Sequence, residues 1–242
     1  MTMKAFLAAS LLATVAPLHA QAPDADAMIK NIRLSATLKE MDLNGQIRKE
    51  GGGAKIPVSL FVRDGNMQFL LNNTERFHIR MGDEKAELMT LNGAGKPTPF
   101  PAANLAKPIL GTDITYEDLT LRFLYWPDAK LEAEERVNGA NCYRVVLSNP
   151  GKDGAFGKVY VWVHKEYGAF WQIRAHDRTG KPIKEFIVNS VMPLPGGKNY
   201  TVEQMRVNSL EDKGGKYMTK SVTYIEFDKP DGGAKAPKGL RK

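Results

Sequence analysis

The feature that most restricts this chain is a train of short β-forming runs, each closed by residues that reverse the backbone. Residues 58–63 and 66–71 flank Asp64-Gly65, a pair that supplies the positive φ of a two-residue hairpin turn. Residues 75–81 alternate strictly, placing Phe77, Ile79 and Met81 on one face and Arg76, His78 and Arg80 on the other. Further runs cover 41–48, 86–91, 130–137, 142–147, 158–163, 170–175, 184–191, 202–210 and 217–227. Turn chemistry separates the later ones, as in Asn138-Gly139, Asn149-Pro150-Gly151, Glu166-Tyr167-Gly168 and Asp212–Gly215. About eleven strands on short connections predict a mainly β chain with one antiparallel sheet, and a sheet of this width must curl. The pattern by itself fits an all-β sandwich or barrel.

Two segments interrupt this pattern. Residues 24–38 carry Met28, Ile29, Ile32, Leu34 and Leu38 at the spacing of an amphipathic helix. Residues 97–127 hold five of the 14 prolines and the stretch Gly111-Thr-Asp-Ile-Thr-Tyr-Glu-Asp-Leu119. Thr115, with Asp118 three places on, has the reciprocal capping pattern of a helix start, and Leu119, Phe123 and Leu124 follow as its apolar stripe. A helix inserted among sheet-forming runs must pack across one sheet face. Over a curled sheet it becomes a plug or lid, with Tyr116, Leu119, Phe123 and Trp126 facing inward and the prolines at its flanks as hinges.

The ends of the chain have a different character. Lys4 precedes an apolar run over 5–16, too short to span a bilayer, and small residues follow at Ala20 and Ala22. This predicts a signal peptide over 1–20 cleaved near Ala20, with Ala22 the alternative, and a periplasmic product. No Cys follows the run, so no lipid anchor is expected there. The domain is expected over 21–227. Beyond it, 228–242 hold Lys229, Lys235, Lys238, Arg241 and Lys242 against Asp228 and Asp231, a basic tail of net +3 within a chain of net +7. Such a tail solubilises, or is drawn to anionic lipid head groups.

Motifs for catalysis are missing. There is no G-x-S-x-G, H-E-x-x-H or Walker sequence; Gly93-Ala-Gly-Lys-Pro-Thr98 lacks the first glycine, and Pro97 disfavours the helix that should follow. The single cysteine, Cys142, excludes an internal disulfide and reads as a small buried hydrophobe. His78, His164 and His176 have no local metal spacing, although His164 and His176 bracket one hairpin and so form a candidate pair. Glu117 and Asp118 are adjacent, about 100° apart on a helix, and read as capping groups rather than a carboxylate pair. No catalytic residue, metal or cofactor is expected. Bases and aromatics do not interleave, so nucleic acid is not an expected partner.

Apolar side chains are in surplus instead. Phe61 opposes Leu60 and Val62, Leu70 opposes Phe69, Tyr160 and Trp162 oppose Val159, Val161 and Val163, and Phe170 opposes Trp171 and Ile173. One face can line the interior, and the other then needs a partner layer. A stoppered concave face encloses a cavity suited to an acyl chain, at about 0.8 kcal/mol per buried CH₂; the alternative is a filled core. The expected groove residues are Val58, Leu60, Val62, Met67, Phe69, Phe77, Ile79 and Met81.

Gly111–Leu119, Val137-Asn-Gly-Ala-Asn-Cys-Tyr143, Lys158-Val-Tyr-Val-Trp-Val163 and Asp177-Arg-Thr-Gly-Lys-Pro-Ile-Lys184 together resemble the outer-membrane lipoprotein-sorting family, the LolA-like group. The resemblance runs over roughly residues 24–228. It implies an unclosed half-barrel, one curled antiparallel sheet with helices over its open concave side, holding the acyl chains of a lipid or lipoprotein and sorting them toward the outer membrane. It also implies contact with an inner-membrane permease or outer-membrane acceptor, and supplies no catalytic set. A monomeric carrier is therefore the expectation; the alternative is a periplasmic module with a solid core that docks a membrane permease or envelope protein.

Overall fold

Residues 23–35, 40–53, 55–91, 95–195 and 199–229 are described in the computed structural model of the protein. Its strands are β1 (Met41–Lys49), β2 (Ile56–Arg63), β3 (Asn66–Leu71), β4 (Glu75–Met81), β5 (Ala86–Leu91), β6 (Pro97–Pro99) and β7 (Lys130–Val137). The rest are β8 (Ala140–Ser148), β9 (Lys158–His164), β10 (Phe170–His176), β11 (Pro182–Pro193), β12 (Tyr200–Lys213) and β13 (Lys216–Phe227). Local turns set the register. Arg63 faces Asn66 across Asp64 (φ 48°) and Gly65 (φ 72°), both in the left-handed region that a type I′ turn requires. Val137 faces Ala140 across Asn138 (φ 48°) and Gly139 (φ 83°) in the same way.

Two meanders result, β1 to β6 and β7 to β13, and one long-range pairing joins them. The order is β6-β5-β4-β3-β2-β1-β13-β12-β11-β10-β9-β8-β7, all antiparallel, with β6 and β7 left as edges. Among the described residues there are thirteen strands where about eleven are expected; all twelve runs read from the sequence recur, and β6, three residues of the proline-rich segment that pair with β5, is added. The fold is mainly β, as the alternation predicts, and the sheet is unclosed.

The seam between β1 and β13 has its own chemistry. Gly45 pairs with Phe227, and Glu226 accepts from Arg48 at 2.8 Å, Gln46 at 2.8 Å and Gln204 at 2.8 Å. The Arg48 guanidinium hydrogen-bonded to Glu226 holds this carboxyl at about 2 against burial, which opposes the shift. A carboxyl depressed in the folded state stabilises above its unfolded value, and that contribution is lost as pH falls from about 4.5 to about 2. The urea midpoint is expected to fall over this interval. In Glu226→Gln the fall should be shallower, and an unchanged slope would remove the seam from the account.

The chain leaves the sheet at the β6 edge and must re-enter at β7, the opposite edge. Twelve inter-strand spacings of about 4.8 Å make an arc of about 58 Å, so the connection crosses the concave face as a chord. It runs over residues 100–129 and forms a strap with short 3₁₀ turns at Asp118–Thr120 and Arg122–Tyr125. The expected α-helix here is therefore corrected. Thr115 and Asp118 do exchange capping bonds, Thr115 N to Asp118 Oδ2 at 2.8 Å and Asp118 N to Thr115 Oγ1 at 3.4 Å. Leu121 then takes a left-handed φ of 43°, and the turn cannot propagate. Among the described residues the α-helix is α1 (Ala25–Ser35), which buries Ala25, Ile29 and Ile32; Leu38 lies outside them. So do the expected signal peptide, Gly93 and Ala94, and the tail beyond Lys229.

The main core lies between the concave face, α1 and the strap. On the convex face the expected partner layer does not form among the described residues. Phe61 and Leu70 make one small cluster with Leu91, while Cys142 and Trp162 make another with Tyr160 and Trp171. Charged side chains roof the second: Trp162 Nε1 donates to Glu135 at 2.6 Å, and Arg174 lies 5.6 Å from the Trp162 ring centre. Trp171 joins this side because a register shift between Phe170 and Gln172 turns it away from Ile173. Burial pushes the Cys142 thiol up, as expected of a packed cysteine.

Candidate functional site

Three acids fix the strap in place, two to the sheet and one to the loop between β8 and β9. Asp113 is buried and accepts from Ser209 at 2.7 Å, Thr223 at 2.8 Å and Ser221, fixing the strap to β12 and β13. Burial pushes its carboxyl up, but the three hydroxyls outweigh that and hold it below the ordinary carboxylate value. Glu117 is buried against the 149–157 loop, taking Ala155 N at 3.3 Å and Arg122 Nε at 3.5 Å. It is a tertiary anchor rather than a cap. Asp118 meets Lys184 of β11 at 2.5 Å, with both side chains largely buried.

A buried pair is costly to break because the survivor keeps its charge without a partner. Lys184→Met alone is expected to lower the unfolding free energy by about 3–5 kcal/mol, and adding Asp118→Leu should recover most of it. Urea unfolding of the two variants measures the difference. A double variant no more stable than the single would show that Asp118 and Lys184 do not act as a pair.

Between strap and sheet lies a cavity of about 650 Å³. Val58, Leu60, Val62, Met67 and Phe69 form one wall, with Leu43, Ile47 and Leu71 beside them. Phe186, Val188, Met205, Ile225 and Phe227 form the wall from β11 to β13, while Ile32 of α1 and Leu119, Leu121 and Leu124 of the strap close it. Its mouth carries aromatic groups. Tyr167 and Tyr200 are each 61% exposed, and the Tyr167 ring stacks on His164 at 4.4 Å.

The remaining expected groove residues share the concave face but not the cavity. Phe77 and Ile79 are 2% and 0% exposed, and the strap sits directly on this part of the sheet. Phe77 packs on Phe100 at 5.8 Å and Tyr116 at 5.4 Å between ring centres, and Met81 meets the Tyr125 hydroxyl at 3.7 Å. Phe77 and Tyr116 border a separate cleft of about 390 Å³. Burial, with Glu75 accepting from the hydroxyl, pushes the Tyr116 phenol up. Of the lid residues, Leu119 reaches the cavity; Phe123 is buried against Trp126 and Phe156.

Sequence reasoning missed the β1 wall and that of β11 to β13. Their signal was present as the alternation Leu43, Gly45, Ile47 and as Phe186 with Val188, but nothing local connects strands so far apart. The proposed His164 and His176 pair is corrected as well. Antiparallel pairing sets His176 opposite Lys158 at one end of β9, while His164 closes the other end, about 20 Å away.

Solved structures share this fold. A DUF1329 family protein from Desulfovibrio piger superposes with a TM-score of 0.62 at 17% identity, covering 87% of this chain and 95% of its own. A putative outer membrane lipoprotein-sorting protein domain from Vibrio parahaemolyticus gives 0.63 at 12% identity, covering 82% and 88%. A LolA superfamily protein from Nitrosomonas europaea gives 0.60 at 12%, covering 86% and 92%. No curated protein matches the sequence. A family model described as "-like: Uncharacterized protein" matches residues 80–232, which takes in the strap and every strand from β5 to β13. With more than half of its length inside that model, the chain belongs to this family, and its fold is LolA-like.

Proposed function

We propose that this protein binds the acyl chains of a lipid or lipoprotein and carries them through the periplasm toward the outer membrane. The observation that carries this reading is the cavity of about 650 Å³ with its largely apolar lining, within the range of about 300–1,000 Å³ typical of ligand sites. A solid core, which the docking alternative requires, would leave no such space. Each CH₂ moved from water into it contributes about 0.8 kcal/mol, so a long chain binds through hydrocarbon burial alone. The reading is of a binding protein rather than an enzyme, supported by a lining whose buried polar residue, Asp118, is already paired with Lys184.

Release follows from the same geometry. Asp113, Glu117 and Asp118 hold the strap at three points, so the chain enters and leaves by the mouth at Tyr167 and Tyr200, not by hinging at the prolines. Native mass spectrometry of protein purified from its host is expected to show bound lipid that delipidation removes, and the emptied protein should take up a fluorescent fatty-acid probe. A protein isolated empty that also ignores the probe would overturn the carrier reading.

A further inference from the structure

The mouth of the cavity is also where β13 hands the chain on to the basic segment. Tyr167, Val191 and Tyr200 line the cavity there and are 61%, 40% and 61% exposed. The Tyr167 and Tyr200 ring centres lie 6.4 Å apart. Tyr167 is held outward: its N–H and that of Glu166 donate to His164 Nδ1 at 3.3 Å and 3.2 Å, and its ring stacks on the same imidazole. Phe227, the last residue of β13, lines the cavity as well. Asp228 N then donates to Asn44 O at 2.8 Å, and Lys229 meets Glu203 of β12 at 4.0 Å, three residues from Tyr200. In sequence, residues 230–242 hold Lys235, Lys238, Arg241 and Lys242 against Asp231, a net of +3. A segment of this length spans at most about 45 Å, so its charges act near this end of the fold.

The folded rim has no positive excess of its own. Arg63 pairs with Asp42, Lys165 with Glu134 and Lys229 with Glu203, while Asp64 and Glu166 are exposed. Aromatic surface and positive charge at this end therefore come from different parts of the chain. Tyrosine suits the head-group layer of a bilayer, where its ring and its hydroxyl each find a matching environment. Attachment to a membrane surface grows with the apolar area buried and with attraction of bases to anionic lipid. We propose that the mouth docks on an anionic bilayer, with Tyr167 and Tyr200 at head-group depth and the bases of residues 230–242 drawn to the lipid charge beside them. This rests on the acyl-binding reading and names the partner of the same site. An acyl chain leaving a docked mouth passes from one apolar medium to another without crossing water. Docking by another face would not achieve this. Tyr217 and Met218, 43% and 51% exposed, are a comparable pair, but they lie at the far end of β12 and β13, about 40 Å from Tyr200.

Flotation of the full chain with phosphatidylglycerol vesicles and with phosphatidylcholine vesicles tests this. Binding to phosphatidylglycerol is expected to be about tenfold tighter or more, and to weaken with added salt. Truncation after Lys229 should remove the preference. Tyr167→Ser/Tyr200→Ser should weaken binding to phosphatidylglycerol about tenfold and keep the preference. Both tyrosines are largely exposed, so this variant is expected to fold, and the truncation and the dye measurement decide without it if it does not. Orientation is read from an environment-sensitive dye on Glu166→Cys or on Tyr217→Cys, since Cys142 is 0% exposed and is shielded from labelling. Vesicles should shift the emission to the blue at position 166 and leave it unchanged at position 217. Absence of binding, equal binding to both lipids, a tyrosine variant that binds as the native protein does, or a shift at position 217 overturns the docking. Uptake of the fluorescent fatty-acid probe without vesicles separates the two readings. Normal uptake with no docking strikes the docking alone, whereas no uptake removes the acyl reading and the docking that rests on it.

Discussion

Phe69→Glu is expected to reduce acyl-probe binding by more than about a hundredfold, because a carboxylate on an apolar wall must shed its water when the chain enters. Phe69 lines the cavity from β3, flanked by Leu60 on β2 and Phe77 on β4. Its partial exposure means the charged side chain can reach solvent when the cavity is empty, so the variant is expected to fold. Phe69→Leu should bind nearly as the native protein does, and truncation after Lys229 should leave binding unchanged. Titration of the probe by fluorescence, with near-UV circular dichroism as the check on folding, measures all three. A folded Phe69→Glu protein that binds normally would move the site away from this cavity.

Gly45→Ala is expected to destabilise the fold by about 3 kcal/mol or more, a large effect for one methyl group. A Cβ at this position would lie 1.9 Å from the Glu226 carbonyl oxygen and 2.8 Å from the Phe227 Cα. Both are backbone atoms of β13, so no rotamer change relieves the clash. Gly45 stands where β1 joins β13, the pairing that holds the two meanders in one sheet. The strands must part there or shift register, and either opens the cavity wall at Ile225 and Phe227. Urea unfolding and probe binding should therefore fall together. A variant with the native midpoint would show that the close approach at this seam is not required.

The legible part of the fold was the part encoded locally. Alternation within β4 assigned Phe77, Ile79 and Met81 to one face, because a strand's side-chain period is two whatever it pairs with. Asp64-Gly65 and Asn138-Gly139 marked their hairpins for an equally local reason, the positive φ of both turn residues. The strap misled at the same scale. Thr115 and Asp118 make the capping bonds their spacing predicts, but Glu117, Asp118 and Asp113 are each drawn to a different distant partner. Those long-range contacts, with the left-handed Leu121, replace a helix by two 3₁₀ turns.

The candidate site divides in the same way. Residues on β2 and β3, namely Val58, Leu60, Val62, Met67 and Phe69, line the cavity, while Phe77, Ile79 and Met81 on the next strand lie on the same face outside it. Nothing in their own alternation separates the two groups. The strap does, by pressing Tyr116 and Tyr125 onto β4 and leaving β1 to β3 uncovered beneath Leu119 and Leu121.

The sequence by itself determined a wide antiparallel sheet, its hairpin registers and which residues share a face, since all of these follow from side-chain period and turn chemistry within a few residues. Only the tertiary structure decided where the apolar face is filled and where it is hollow. That outcome depends on a chord of some 30 residues between the two sheet edges, held by Asp113, Glu117 and Asp118, and on Gly45 meeting Phe227 from the far end of the domain. Packing over such separations is a property of the closed chain and has no local signature.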